Sequence, residues 1–395
     1  MRENKRLEKR TANEIAAEGL WPSLRLRGDR FVSLPSDTRR PRRKRRFHSL
    51  IPVALAPCLV LLLALSFSAA QARVTVTHTT YKGWTDAYRL SNKTVDVVVV
   101  PGIGRIMAFG FTGSAETSPL FNNRAELGRP AVQKSGVYPN DWINYGGDKL
   151  WPSQQIDWFR HQPKAWPPDP NFDEGPYRVS RIRSGLRLTG PVSPYYQIQV
   201  VREITLPPHG ARVYLRDTFR KSPDAAGRRN GFPVGIWSIS QVRGDATIYL
   251  PLNRRGLFPG VGLTSLGDKP TLLPNWRARG DTVAVTRPNN VATKMGVDDA
   301  AGWMACIFGG DLLFSERFTR RPRALYPDKG CNAEVYTNGD PHLPYIEMEV
   351  LSRMVRLRAG QTLTRTMSWR LQRLPRWPRS DADARRLVVA AMAGR

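Results

Sequence analysis

From Arg73 to Arg379 the chain never holds a helical period for three turns, and that absence constrains the fold more than any motif does. Short runs of β-branched and aromatic residues stand there instead, cut apart by Gly, Pro and Asn. Arg73 to Thr80 and Thr94 to Val100 are the first, the second ending at Pro101-Gly102, where the chain must turn. The same composition predicts strands at Ile103 to Phe111, Leu186 to Leu188, Tyr195 to Ile204, Arg212 to Phe219, Ile236 to Val242 and Thr247 to Leu250. It continues at Thr282 to Thr286, Trp303 to Ile307, Leu312 to Glu316, Ala333 to Thr337, Ile346 to Leu357 and Thr362 to Trp369. No βα alternation accompanies them. The reading is therefore all-β: a single large domain over residues 73–373 made of two packed antiparallel sheets, with two smaller β domains as the alternative. Leu374 to Arg395 reads as a peripheral tail with one short helix near Asp381 to Met392.

Two segments precede that domain. Residues 1–49 carry 15 basic and 6 acidic side chains, ending in Arg39-Arg40-Pro41-Arg42-Arg43-Lys44-Arg45-Arg46. Leu50 to Ala72 has no charge and closes on Ala70-Gln71-Ala72, the layout of a secretory signal cut after Ala72. Its 23 residues are also long enough to span a bilayer core of ~30 Å, so a retained anchor is the alternative, and membrane association is expected only in that case. Either way the domain is expected outside the cytoplasm, periplasmic or secreted.

The remaining residues keep 46 basic and 27 acidic side chains, an excess that attracts polyanions. The basic residues are scattered rather than interleaved with an aromatic platform, and export removes the usual partner, so nucleic acid is not expected. His78, His161, His209 and His342 show no zinc-ligand spacing, and neither a metal nor a cofactor is expected. Export permits a disulfide between Cys306 and Cys331, but the setting Trp-Met-Ala-Cys-Ile-Phe suits a buried thiol at Cys306.

One region breaks the strand rhythm. Pro139 to Pro170 holds Trp142, Trp151, Trp158 and Trp166 among Asn, Asp, Gln and Pro, and reads as a long ordered loop. Its densest part runs from Asp141 to Gln155. Flat aromatic faces stack on the C–H faces of sugar rings, while amides, carboxylates and cations bond the hydroxyls at the rim. Trp142, Asn144, Lys149, Trp151 and Gln155 supply both, joined by Arg105, Trp237 and Glu349 as further substrate-binding candidates. Gly146-Gly147 either admits a ligand close to the backbone or makes a tight turn. The competing reading has Trp142 and Trp151 plugging the end of the sandwich.

Val97-Val98-Val99-Val100-Pro101-Gly102-Ile103-Gly104-Arg105-Ile106, Asn144-Tyr145-Gly146-Gly147-Asp148-Lys149-Leu150-Trp151-Pro152 and Leu343-Pro344-Tyr345-Ile346-Glu347-Met348-Glu349 resemble, in order and spacing, a bacterial family of unknown function placed among galactose mutarotase-like proteins. The likeness runs from about Val74 to Leu371. It implies a β-supersandwich whose concave face, in related enzymes, receives a carbohydrate. Aldose mutarotases open and reclose the sugar ring with a glutamate base and a histidine acid. The resemblance offers Glu347 for the base; no histidine falls in a recognisable motif, and His342 is the nearest candidate acid. Glu349 shares the face of Glu347 under the two-residue period, so one of the two needs a raised pKa or a cationic partner, Arg105 or Lys149. Glycoside cleavage would need two carboxyls about 5 to 9 Å apart, and Glu347 with Asp148 is the pair to examine. The expected function is thus an exported saccharide-binding protein, its partner a neutral or acidic glycan. An epimerase-like or glycoside-processing enzyme and a structural envelope protein are the alternatives.

Overall fold

The computed structural model describes residues 74–131, 138–226, 231–267 and 273–394. The basic extension and the Leu50–Ala72 segment lie outside them. Within the described residues each strand is local in sequence, but its neighbours are often distant, and the order in which strands pair decides which side chains meet.

The first sheet runs in space through Thr75–Tyr81, Trp84–Ser91, Val95–Val100, Arg105–Phe111, Asp148–Ser153, Pro233–Arg243, Tyr345–Leu351, Ala333–Thr337, Thr293–Val297 and Leu263–Ser265, with Val355–Arg356 added beside Pro233–Arg243. The second runs through Trp276–Arg279, Thr282–Val285, Thr247–Pro251, Trp303–Phe308, Leu312–Phe318, Thr362–Arg373, Arg212–Lys221, Ile198–Thr205, Gly185–Val192 and Arg178–Ile182. The pairings are antiparallel. The two sheets form the two-layered supersandwich expected from the sequence.

Their facing sides make the core. Ile106, Leu150, Ile236, Met348 and Val350 of the first sheet belong to one buried cluster with Leu186, Ile204, Leu215, Phe219, Phe314 and Trp369 of the second. Arg212–Lys221 shows why the layers stop at two: alternate residues Val213, Leu215, Asp217 and Phe219 are buried, while Tyr214, Arg216 and Arg220 are exposed. Asp148–Ser153 and Tyr345–Leu351 are buried along their whole length, as is Pro233–Arg243 except at its ends. Something must cover their outer face, and the tryptophan-rich segment does so.

The chain ends in a helix, Asp381–Ala393. The Ser380 side chain accepts the Asp383 amide, and Asp381 and Asp383 in the first turn suit the positive end of the helix dipole. Ala384, Val388 and Met392 pack against Tyr249, Ala305 and Leu313, so this helix is docked on the outer face of the second sheet. Cys306 and Cys331 are both buried free thiols.

The strand expectations hold with shifted ends, and Ile346 to Leu357 divides into Tyr345–Leu351 and Val355–Arg356. Trp84–Ser91, Arg178–Ile182, Leu263–Ser265, Trp276–Arg279 and Thr293–Val297 are additional strands. The consequential correction is Asp148–Ser153. It lies inside the segment expected to be a loop, yet it is an interior strand of the first sheet, held by the long partner Pro233–Arg243.

Candidate functional site

Cross-strand register places the side chains. Trp237 lies opposite Trp151, Ile239 opposite both Lys149 and Glu349, and Gln241 opposite Glu347. On the next strand Glu334 faces Glu349 and Tyr336 faces Glu347, and Lys294 follows opposite Tyr336. Opposed residues of an antiparallel pair share a face, so all of these project from the outer side of the first sheet.

Glu347 sits at the centre of one group. Its Oε1 accepts hydrogen bonds from Lys149 Nζ at 2.9 Å and from Gln241 Nε2 at 2.9 Å. Its Oε2 has no hydrogen-bond partner among the described residues, and Glu347 keeps 7% of its surface exposed while Lys149 keeps none. The Lys149 ammonium lies 4.7 Å from the Trp151 ring centroid and 5.3 Å from that of Trp142, so two indole faces take up charge that water would otherwise solvate. Burial pushes this ammonium below the usual lysine range, with Glu347 pulling the other way.

A second group adjoins it. Glu349 Oε2 accepts Trp237 Nε1 at 2.8 Å and lies 3.0 Å from Lys294 Nζ, which also reaches Glu334 Oε2 at 2.9 Å. Two buried carboxyls share one ammonium. Burial raises both above the ordinary carboxyl range, although Lys294 opposes the shift. Lys294 is held above its own ordinary value because Glu334 and Glu349 together outweigh its burial. A proton shared between the two glutamates satisfies this arrangement.

The cover is pinned by Asp173. It comes from the short helix Pro170–Asp173, which Asp169 caps by accepting the Asn171 amide. Asp173 Oδ1 accepts Arg105 NH2 at 2.8 Å and Trp151 Nε1 at 2.7 Å, and its Oδ2 accepts Trp142 Nε1 at 2.9 Å. The indoles then pack edge to face: Trp142 on Trp151 and Trp166, and Trp151 on Trp158, Trp166 and Trp237. Trp151 is buried, Trp142 half-buried, and Trp166 43% exposed.

Several expectations change. Asp148 is fully buried on the opposite side of the sheet from Glu347, because adjacent strand residues point to opposite faces. It meets Arg202 NH2 at 2.6 Å and the hydroxyls of Ser238 and Ser240 between the sheets. The Asp148–Glu347 pair therefore cannot flank one glycosidic bond. Arg105 pairs with Asp173 and the Gly146 carbonyl, not with Glu347 or Glu349. His342 is exposed in the turn before Tyr345–Leu351, its amide bonded to Asp340 Oδ1, and Gln155 is exposed on the turn Gln155–Arg160; neither joins the cluster. Asn144 is buried, its Oδ1 accepting the Gly146 amide, and its Nδ2 has no partner among the described residues. Trp237 is buried, anchoring Glu349.

Lys294, Glu334, Gln241 and Asp173 complete the cluster and were not singled out in the sequence. Glu334, in Ala-Glu-Val-Tyr-Thr, carried one usable signal: a charge at an alternating position of an apolar strand. A hollow of about 830 Å³ lies elsewhere, between Val74–Thr77 and Arg181–Gly185, and it has no carboxylate or aromatic lining. Among the described residues no group of His, Cys, Asp and Glu has the geometry to hold a metal ion. No helix among them is long and apolar enough to cross a membrane.

A family model described as Domain of unknown function (DUF4380) matches residues 86–372, which takes in every residue of the cluster and both sheets apart from the edge strand Thr75–Tyr81 and the extreme ends of Trp84–Ser91 and Thr362–Arg373. The chain belongs to this family. No curated protein matches this DUF4380 chain in sequence. Among solved structures it is similar to a candidate aldose 1-epimerase from Klebsiella pneumoniae, 11% identical, covering 81% of this chain and 88% of that one with a TM-score of 0.49. It is also similar to a candidate mutarotase from Salmonella typhimurium, 10% identical over 76% of this chain and 94% of that one, TM-score 0.47. A galactose mutarotase related enzyme from Lactobacillus acidophilus is 8% identical over 72% and 97%, TM-score 0.45. Each is a likeness of fold.

Proposed function

We propose that the outer face of the first sheet is a saccharide site and that Glu347 is the group that meets the sugar. One observation carries this reading: Glu347 is oriented through Oε1 by Lys149 and Gln241 while Oε2 stays without a partner among the described residues, beside the half-buried Trp142. Glu349 Oε1 also lacks a hydrogen-bond partner among the described residues, but Glu349 is fully buried, whereas Glu347 keeps part of its surface open to an incoming group. The indoles of Trp142 and Trp166 offer the stacking surface, and the carboxylate offers an acceptor for a hydroxyl.

The same group can move a proton. Tyr336 lies directly opposite Glu347, and its phenol is held above its ordinary pKa, first by burial and then by the charge of Glu347. In ring opening, Glu347 takes the proton of the anomeric hydroxyl, Tyr336 gives one to the ring oxygen, and the ring C–O bond breaks; closure reverses each transfer. Tyr336 is thus offered for the acid role, for which no histidine among the described residues is placed.

The test is NMR of anomer exchange in aldoses, with Glu347→Gln and Tyr336→Phe, together with saccharide titration followed by tryptophan fluorescence. Faster exchange that drops at least tenfold in each variant supports the proton-transfer reading. Binding without exchange, lost in Glu347→Gln and Trp166→Ala, supports recognition alone. A second reading, a structural protein without a small ligand, is favoured by the complete burial of Lys149, Glu334 and Glu349. It prevails where no saccharide alters fluorescence or thermal midpoint. Export through Leu50–Ala72 belongs to the same proposal, and recovery of the tagged chain in the cytoplasmic fraction alone would reject it.

A further inference from the structure

The outer face of the second sheet is half covered by the helix Asp381–Ala393, and the other half is an array of arginines. Arg212, Arg216 and Arg220 occupy every fourth position of Arg212–Lys221 on its outward side, so their α-carbons are spaced roughly 14 Å apart along the strand. Arg370 lies directly opposite Arg212 on the next strand; in the other direction Glu203 lies opposite Arg216, and Arg187 lies opposite Glu203. Arg178 extends the face at its edge, opposite Thr189.

Glu203 is the one carboxylate at these positions. It serves Arg187 at 2.6 Å and Arg216 at 3.7 Å, leaving Arg178, Arg212, Arg220 and Arg370 with no carboxylate in ion-pair range among the described residues. At the helix-side margin Arg317 donates to the Met392 carbonyl, at the negative end of the helix dipole. Its guanidinium is held below the ordinary arginine value, first by burial and then by the like charges of Arg212 and Arg370. Like charges placed directly opposite each other, as Arg212 and Arg370 are, disfavour the free protein and leave an anion to neutralise them.

We propose that this face docks an acidic polysaccharide, its carboxylate or sulfate groups taken bidentately by the arginine rows. The chemistry selects that partner among polyanions. The basic groups are all arginine, whose planar fork matches carboxylate and sulfate, where a lysine ammonium would serve only as a point charge. Between them stand hydroxyls, with Thr218 and Thr364 3.0 Å apart, and the half-exposed ring of Tyr214, which suit sugar hydroxyls and a sugar face. A bilayer would call for apolar side chains to insert, and a single-stranded nucleic acid for a succession of stacking rings. The proposal does not rest on the Glu347 site, which lies on the other sheet.

The test is binding of the full-length protein to heparin and to polygalacturonate at rising NaCl, with neutral dextran and phosphatidylglycerol vesicles alongside. Arg212→Gln/Arg216→Gln/Arg220→Gln is compared with Arg279→Gln/Arg321→Gln/Arg323→Gln, which removes the same charge from exposed sites elsewhere. The expected result is salt-sensitive binding to at least one acidic polysaccharide, about tenfold weaker in the first variant and unchanged in the second, with both variants keeping the native circular dichroism. Equal losses in the two variants, absence of binding to both acidic polysaccharides, or vesicle binding that alone responds to the first variant would overturn it. Saccharide binding at Glu347, read by tryptophan fluorescence, is expected to stay unchanged in the first variant, so the two proposals fail separately.

Discussion

Lys149 Nζ and Glu347 Oε1 are 2.9 Å apart, although 198 residues separate them in the chain. The contact forms only because Asp148–Ser153 and Tyr345–Leu351 both pair with Pro233–Arg243, which sets Lys149 diagonally across from Glu347. Both ions are buried, so each is compensated chiefly by the other. Lys149→Met is expected to cost about 3–5 kcal/mol, since it strands a carboxylate in a site of low polarity, and Lys149→Met/Glu347→Gln is expected to recover part of that loss. Urea unfolding of the four members of the cycle measures the coupling. Additive losses would mean that the pair is solvated and its coupling negligible.

Adjacent residues explain where the sequence was readable and where it was not. Alternation exposed most strands and the shared face of Glu347 and Glu349, because a period of two is written into consecutive residues. The same rule would have separated Asp148 from Lys149, one to each side, had that segment been recognised as a strand. Gly146, Gly147 and Pro152 disguised it as a loop, and in a loop no alternation applies. Its strand character comes from Pro233–Arg243, whose register is a long-range property. Lys294 and Glu334 were hidden for the same reason: Thr293–Val297 meets Ala333–Thr337 only through sheet order. Asp173 was hidden because nothing in Asn-Phe-Asp announces that two indoles and a guanidinium converge on it.

Between the sheets, Ser240 Oγ lies 2.6 Å from Glu316 Oε1 and 3.0 Å from Asp148 Oδ2. One hydroxyl proton cannot serve both carboxyls, so a second proton belongs in this site. Burial, the largest influence, pushes Glu316 from 4.5 up to about 8. The folded state therefore holds a proton that the unfolded chain has already released. This stabilisation is complete below about pH 4.5, fades as pH rises, and is gone above about pH 8, with a limiting slope near 1.4 kcal/mol per pH unit. Glu316→Gln is expected to remove that slope, so that its stability relative to the native chain improves from pH 5 to pH 8. Parallel curves for the two proteins would place the proton elsewhere.

Gly146 and Gly147 turn the chain into Asp148–Ser153 with φ of +88° and +72°. A Cβ on Gly146 would lie 2.2 Å from the Phe121 carbonyl oxygen, and one on Gly147 would lie 2.5 Å from that of Ile106. The close approach is to the protein's own backbone, so both positions require glycine for folding. Gly146→Ala is expected to destabilise by about 3 kcal/mol or more. Gly113→Ala is the control, with a similar φ of +80° and nothing within 4 Å of the added carbon, and should cost about 1–2 kcal/mol. Thermal midpoints of the two variants measure the difference, and equal shifts would show that the Phe121 contact is relieved by backbone movement.

Asp173 gathers three donors from separate parts of the chain: Arg105 at a strand start, Trp151 within a strand, and Trp142 in the segment that covers it. Asp173→Asn keeps the shape but removes the charge opposite Arg105, and its amide can accept on only one side. Turned to accept from Arg105 and Trp151, the new side chain points its NH₂ at Trp142 Nε1, donor against donor. The expected loss is about 3 kcal/mol, most of it from the buried Arg105 left without a counter-charge. Because Trp142 is the half-buried member, its release should also shift tryptophan emission to the red under fully native conditions. Asp173→Glu separates the two effects, restoring charge without geometry: recovery of stability with red-shifted emission would assign the stability to the ion pair and the ordering of Trp142 to the hydrogen bond. Unchanged emission in both variants would mean that Trp142 is held by its contacts with Trp151 and Trp166 alone.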